Sequence, residues 1–163
     1  AHSLADPEFA ALALEQLERA GLPPSVLCFE VREALAVSRR RETEAFVAAL
    51  TAAGCTVVLD NCGTGFGALG ELPPLAVSEL KIDGSFVRRI ETDPVAESIV
   101  ASLAHAARAL GVRTAAQHVE SAAVAERLRA LGIDYGQGYH LGRPMPLAEQ
   151  LAELGDRRAE SVA

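Results

Sequence analysis

Four times along this chain of 163 residues a helical, alanine-rich stretch ends in a glycine and an apolar, β-branched run follows within a few residues. The four are Arg19-Ala20-Gly21 before 26–31, Ala52-Ala53-Gly54 before 56–60, Ala109-Leu110-Gly111 before 112–115, and Ala130-Leu131-Gly132 before 133–135. A glycine just past a helix takes a positive φ, satisfies the last free carbonyls and delivers the chain through a short loop into a strand. Each repeat therefore reads as helix, C-terminal glycine, strand. Helix starts are marked as well. Asp6-Pro7-Glu8 and Asp93-Pro94 each place a capping carboxylate before a proline at the first helical position, where its missing N–H costs nothing.

These signals predict helices over 7–20, 40–53, 94–110, 121–131 and 147–154, and strands over 26–31, 56–60, 79–82, 112–117 and 133–137. Alternation of helices with near-continuous apolar strands argues for parallel strands joined by crossover helices, the α/β class. Two architectures fit, an open doubly wound sheet and a (β/α)8 barrel. The C-terminal ends of the predicted strands carry Glu30, Asp60 with Asn61, Lys81 with Asp83, Gln117 with Glu120, and Gln137. In a parallel barrel all such ends open on one face, so residues distant in sequence would converge there. The alternative is that each end is polar only because it meets solvent.

Composition removes several function classes. Half the residues are hydrophobic and no apolar run approaches the length of a membrane span, which points to a globular domain without one. The net charge of −7, with Arg39-Arg40-Arg41 as the one basic cluster, makes nucleic acid a poor partner. Cys28, Cys55 and Cys62 form no C-x-x-C pair, so neither a disulfide framework nor a zinc knuckle fits, and a reducing cytoplasm is the expected compartment. No secretory signal is visible at the N-terminus, and a start at Ala1 without Met reads as a piece of something longer. Residues 63–68 satisfy G-x-G-x-x-A after an apolar strand, with Asp83 twenty residues beyond Gly63. That match fails as a dinucleotide fingerprint, because Pro73-Pro74 leaves room for only about two helical turns after it. Asp60 just before the turn would also face a bound diphosphate.

The motifs themselves, taken in order, resemble the EAL domain. Phe29-Glu30-Val31-Arg32-Glu33, then Val58-Leu59-Asp60-Asn61-Cys62-Gly63-Thr64-Gly65, then Leu80-Lys81-Ile82-Asp83 are similar to its successive strand motifs. Ala116-Gln117-His118-Val119-Glu120 resembles the family's A-E-G-V-E, and Asp134-Tyr135-Gly136-Gln137-Gly138-Tyr139 followed by Gly142-Arg143-Pro144 resembles D-Y-x-Q-G-Y followed by S-R-P. The resemblance covers roughly residues 3–150. It implies a (β/α)8-like barrel of the kind that hydrolyses cyclic di-GMP to the linear dinucleotide with two Mg²⁺ or Mn²⁺ ions, in a family whose degenerate members only bind that ligand or a protein partner.

Two divalent ions about 3.5–4 Å apart must be neutralised by several carboxylates and must activate a water for in-line attack. By resemblance, Glu30 and Asp60 stand at metal-binding positions, Lys81 at that of the active-site lysine, and Gln137 and Glu120 at further family positions, with Glu33 in the shell that surrounds the site. Lys81 is the single lysine beside fourteen arginines, and a compact ammonium is not interchangeable with guanidinium. Arg143 and Pro144 fall in the final ligand-side loop. Against this, Asn61 stands where the family has its second aspartate. Gln117 replaces a glutamate, and an amide cannot serve as a base. His118 replaces a glycine, and Ala1 falls where an asparagine would supply a carbonyl ligand. The segment bearing the E-A-L signature precedes residue 1. What remains points to a weak or vestigial site for Mg²⁺ or Mn²⁺ at Glu30, Asp60 and Asn61.

The sequence is thus read as a single domain over 1–163, a partial (β/α)8 barrel lacking its first strands. A full barrel takes about 250 residues. An unclosed sheet leaves an unpaired edge, so self-association or a covering protein partner is expected, with modest stability in isolation. The functional expectation is a catalytically degenerate domain sensing cyclic di-GMP or engaging a protein. The alternatives are a phosphodiesterase using Glu30, Asp60, Lys81 and Glu120, and a structural remnant that binds no nucleotide.

Overall fold

A computed structural model describes residue 4 and residues 6–65 and 76–151 of the chain. Ala1, the turn residues from Phe66 onward, Pro73-Pro74 and the end of the last expected helix lie outside the described residues. The elements are α1 (Pro7–Ala20), a 3₁₀ turn (Pro24–Val26), β1 (Cys28–Arg32), α2 (Glu33–Ser38), α3 (Arg40–Ala52), β2 (Thr56–Cys62), β3 (Glu79–Ile82), α4 (Gly84–Val87), α5 (Pro94–Leu110), β4 (Arg113–Gln117), α6 (Ala122–Ala130) and β5 (Tyr135–Gln137). Residues 147–151 are helical.

Local chemistry accounts for most of these boundaries. Asp6 and Asp93 accept hydrogen bonds from the Glu8 and Val95 amides at 3.0 and 2.9 Å, and Ser121 accepts one from Val124 N at 3.1 Å. The glycines of all four repeats, Gly21, Gly54, Gly111 and Gly132, take positive φ. Three features depart from expectation. Pro24 starts a 3₁₀ turn, which delays β1 to Cys28. Residues 33–38 form α2 directly after β1, set off from α3 by Arg39 at φ −126° and ψ 52°. Asp83 caps α4 by accepting from Ser85 N at 2.8 Å.

All five strands are parallel and lie in the order β1-β2-β3-β4-β5. A doubly wound sheet reverses its strand order at a switch point. Sequential order without reversal is that of a (β/α)8 barrel, and the described residues form a five-stranded arc of one. The strands are not apolar throughout. Val31, Val57, Leu59, Leu80, Ile82 and Ala116 join one core with Val47 and Leu50 of α3, Val100, Leu103 and Ala107 of α5, and Leu128 of α6. Each fully buried aliphatic side chain of this layer stabilises the fold by about 1.5–3 kcal/mol. The two-residue alternation sends Glu30, Val58, Asp60, Glu79, Lys81, Ala115 and Gln117 to the opposite face. That polar face would line the interior of a closed barrel.

Candidate functional site

The site grows from the C-terminal ends of β1 to β4. In β2 an extra residue interrupts the ladder with β3: Leu59 pairs with Leu80, but Cys62 pairs with Ile82. Asp60 and Asn61 therefore oppose Lys81 alone. Such a bulge bends the strand and re-aims its side chains. Asn61 absorbs the bend at φ 57°, a conformation that Asn and Asp tolerate better than other side chains. Asparagine in place of aspartate thus leaves the backbone solution intact and changes only the charge.

Two hydrogen bonds organise the polar face. Lys81 Nζ donates to Glu30 Oε1 at 2.8 Å, with the lysine side chain 12% exposed and the glutamate 49%. Gln117 Nε2 donates to Asp60 Oδ1 at 2.7 Å. Each contact skips a strand, β3 reaching β1 across β2 and β4 reaching β2 across β3. Barrel interiors are built in this way, from layers contributed by alternate strands. The Gln117 amide nitrogen is the atom that makes an attractive contact with a carboxylate; its oxygen would repel it.

Around this pair the turn after β2 is held from below. Glu33 is buried, 1% exposed, and its Oε2 accepts from the Gly63 and Gly65 amides at 3.2 and 3.1 Å. Its Oε1 is buried without a partner. Burial pushes the Glu33 carboxyl above the usual carboxylate range, opposed by the amides of Gly65, Gly63 and Thr64. Cys62 is buried beneath the same turn and donates to Leu59 O at 3.3 Å. Burial and the neighbouring Glu33 and Asp60 raise its pKa, which keeps it a thiol. Cys28, Cys55 and Cys62 are all free.

On the far side, His118 has φ 57°, which explains why the resembling motif carries glycine there. Its ring lies against Gly84, where a Cβ would come within 2.1 Å of His118 Cδ2. Nδ1 stands 3.8 Å from Glu120 Oε1, with both side chains more than half exposed. Gly138 packs on Val119, with a virtual Cβ 2.2 Å from the Val119 carbonyl oxygen, so no larger residue fits after Gln137. Gln137 is exposed at the end of β5. The Arg143 guanidinium sits over the Tyr139 ring at 4.9 Å, and Pro144 is exposed. Arg143 thus stacks on the final loop. Lower down, Asp134 Oδ2 accepts from Thr114 N and Oγ1, both at 2.8 Å, which holds its carboxyl below the usual range.

Of the residues singled out from the sequence, the fold brings Glu30 to Lys81 and Asp60 to Gln117. Glu120 lies near His118 instead, while Gln137, Arg143 and Pro144 lie beyond. The anchoring contact of Glu33 and the Thr114–Asp134 clamp were not legible as functional geometry, because each depends on a partner about 20 or more residues away in sequence. Among the described residues, no three His, Cys, Asp or Glu side chains stand together to hold a metal ion.

The arrangement has counterparts. The chain matches the family model "EAL domain" over residues 1–144. It is 35% identical over 139 residues to the cyclic di-GMP phosphodiesterase PdeB of Shewanella oneidensis, covering 85% of this chain and 16% of that protein. It is 34% identical over 125 residues to the cyclic di-GMP phosphodiesterase RocR of Pseudomonas aeruginosa, covering 77% of this chain and 32% of that one. Its fold superposes on the structure of a PaMucR phosphodiesterase in complex with c-di-GMP with a TM-score of 0.85 at 35% identity, covering 91% of this chain and 60% of the other. The FimX EAL domain from Pseudomonas aeruginosa bound to c-di-GMP gives 0.78 at 31% identity, with 88% and 59% covered. The chain spans no more than about a third of these curated relatives and about three fifths of these solved domains. With sequential parallel strands, polar residues at their C-terminal ends and the family's motifs in order, the chain belongs to the EAL-domain family.

Proposed function

We propose that this chain is a catalytically degenerate EAL-type domain that senses cyclic di-GMP or engages a protein partner in bacterial second-messenger signalling, in the cytoplasm. The observation that carries this reading is the 2.7 Å hydrogen bond from Gln117 to Asp60. A phosphodiesterase of this family needs carboxylates free to gather two cations and deprotonate a water. Here Asp60 is engaged by an amide and Glu30 by the Lys81 ammonium, Asn61 brings no charge, and Gln117 has no basic site. The donors present do not fit a two-ion centre.

The names of the relatives support the ligand: PdeB and RocR are named for cyclic di-GMP, and the PaMucR and FimX structures contain it. Lys81, Gln137, Arg143 and Pro144 are the residues assigned to its contact, with the cationic pair meeting its phosphodiesters. The partner arm rests on the sheet, whose first and last strands each pair on one side only among the described residues, and on Tyr135, Tyr139 and Leu141, which stay at least half exposed beside β5. Among the described residues no helix is long and apolar enough to cross a membrane.

A turnover assay with Mn²⁺ and cyclic di-GMP tests the catalytic half. No linear product is expected. Hydrolysis abolished by Asp60→Ala would establish the enzyme reading instead, with Glu30, Asp60, Lys81 and Glu120 as its machinery. Calorimetry with cyclic di-GMP in Ca²⁺ buffer tests the sensing half, and absence of heat points to a structural remnant or a purely protein-binding role.

A further inference from the structure

We infer that Gln117 is the residue that keeps a divalent cation off Asp60, and that Gln117→Glu alone creates a cation site on that carboxylate. The inference deepens the proposed function and rests on it only for the consequence for turnover. The geometry is independent of any nucleotide.

The contact between Gln117 Nε2 and Asp60 Oδ1, at 2.7 Å, lies at the short end for an N–H donor on a carboxylate. Two carboxylates at such a separation repel strongly and are held together only by a shared proton or a cation. Glutamate at 117 therefore favours a cation, or a shared proton, between strands β2 and β4. Glutamine meets the same need internally, because its N–H dipole points at the carboxylate oxygen that an ion would bind. Several neighbouring acids have partners of their own. Glu30 is bonded to Lys81, which is mostly buried and so held in place. Both bonds of Glu33 go to the backbone amides of Gly63 and Gly65. Asp83 caps α4, and Glu120 turns toward His118. Asp60 is met by the neutral side-chain amide of Gln117. A substitution at 117 therefore changes the charge set directly against Asp60.

The test is a Mn²⁺ titration of the full chain without nucleotide, followed through the electron paramagnetic resonance signal of the free ion. Weak binding is expected for the wild type, unaltered by Asp60→Asn. Gln117→Glu should tighten it by about tenfold or more, as carboxylate count does in divalent-cation sites, and Gln117→Glu combined with Asp60→Asn should return it to the wild-type value. Gln117→Leu, which removes the donor without adding charge, should tighten it less than Gln117→Glu. An unchanged titration for folded Gln117→Glu, meaning that the pair shares a proton instead, overturns the inference. So does a gain that survives Asp60→Asn. Should Gln117→Glu fail to fold by circular dichroism, wild-type binding that Asp60→Asn abolishes overturns it as well. Failure of cyclic di-GMP to bind leaves this measurement untouched, so the two readings fail separately.

Discussion

His118, like Asn61, holds a left-handed backbone that side chains with a Cβ disfavour. At φ 57° a side chain with a Cβ costs roughly 1 kcal/mol, and the ring is accommodated because residue 84 has no side chain to meet it. The two positions are therefore coupled. Gly84→Ala should destabilise the wild type by about 1–3 kcal/mol through overpacking and cost much less in a His118→Gly background, as read from urea midpoints in a double-mutant cycle. Equal costs in both backgrounds would mean that His118 swings clear of Gly84. Residue type and chemistry at this scale were legible: the substitutions at 61, 117 and 118 stand out against the family's motifs. What a motif cannot convey is that Asn61 sits in a bulge and that Gln117 reaches Asp60, because both depend on register between strands that the chain joins only after folding.

Among the elements, the turn after β2 depends most on a single distant group. Glu33 opens α2, a helix absent from the expectation because its six residues are too few for a period to register, and from there it gathers the Gly63 and Gly65 amides. Its raised pKa has a definite sign in the linkage between folding and protonation. A carboxyl that binds its proton more tightly when folded contributes stability that is fully present below its unfolded pKa and lost as pH rises through the folded value. The difference in unfolding free energy between wild type and Glu33→Gln should thus shift against the wild type as pH rises from the ordinary glutamate range toward neutrality. Urea unfolding of both proteins across that range measures it. A difference that moves the opposite way would mean that the amides of the turn outweigh burial. Asp134, held below the usual range by Thr114, has the opposite sense, losing its contribution as pH falls below the ordinary aspartate value. Its acid limb is common to both proteins and cancels in the difference.

At the scale of the sheet, the arc of five strands leaves β1 and β5 with one free side each among the described residues, and the aromatic cluster of Phe9, Phe29 and Phe46 borders a cavity of about 670 Å³ beside β1. Free strand edges recruit further strands, so sedimentation velocity should show weight-average mass rising with concentration. A folded monomer throughout would contradict the expectation of a covered edge. The helix–glycine–strand repeat determined, from sequence alone, that this chain is α/β with parallel strands, since helix caps and glycine conformations are settled within a few residues. Strand ends then indicated which residues could share a face. The resemblance of its motifs already implied the sequential sheet order of a barrel, and only the tertiary structure decided the alternation of a helix-covered apolar face with a polar one and the pairing of each carboxylate with its donor. Those outcomes rest on contacts across strands distant in sequence, where the free energy belongs to the packed whole.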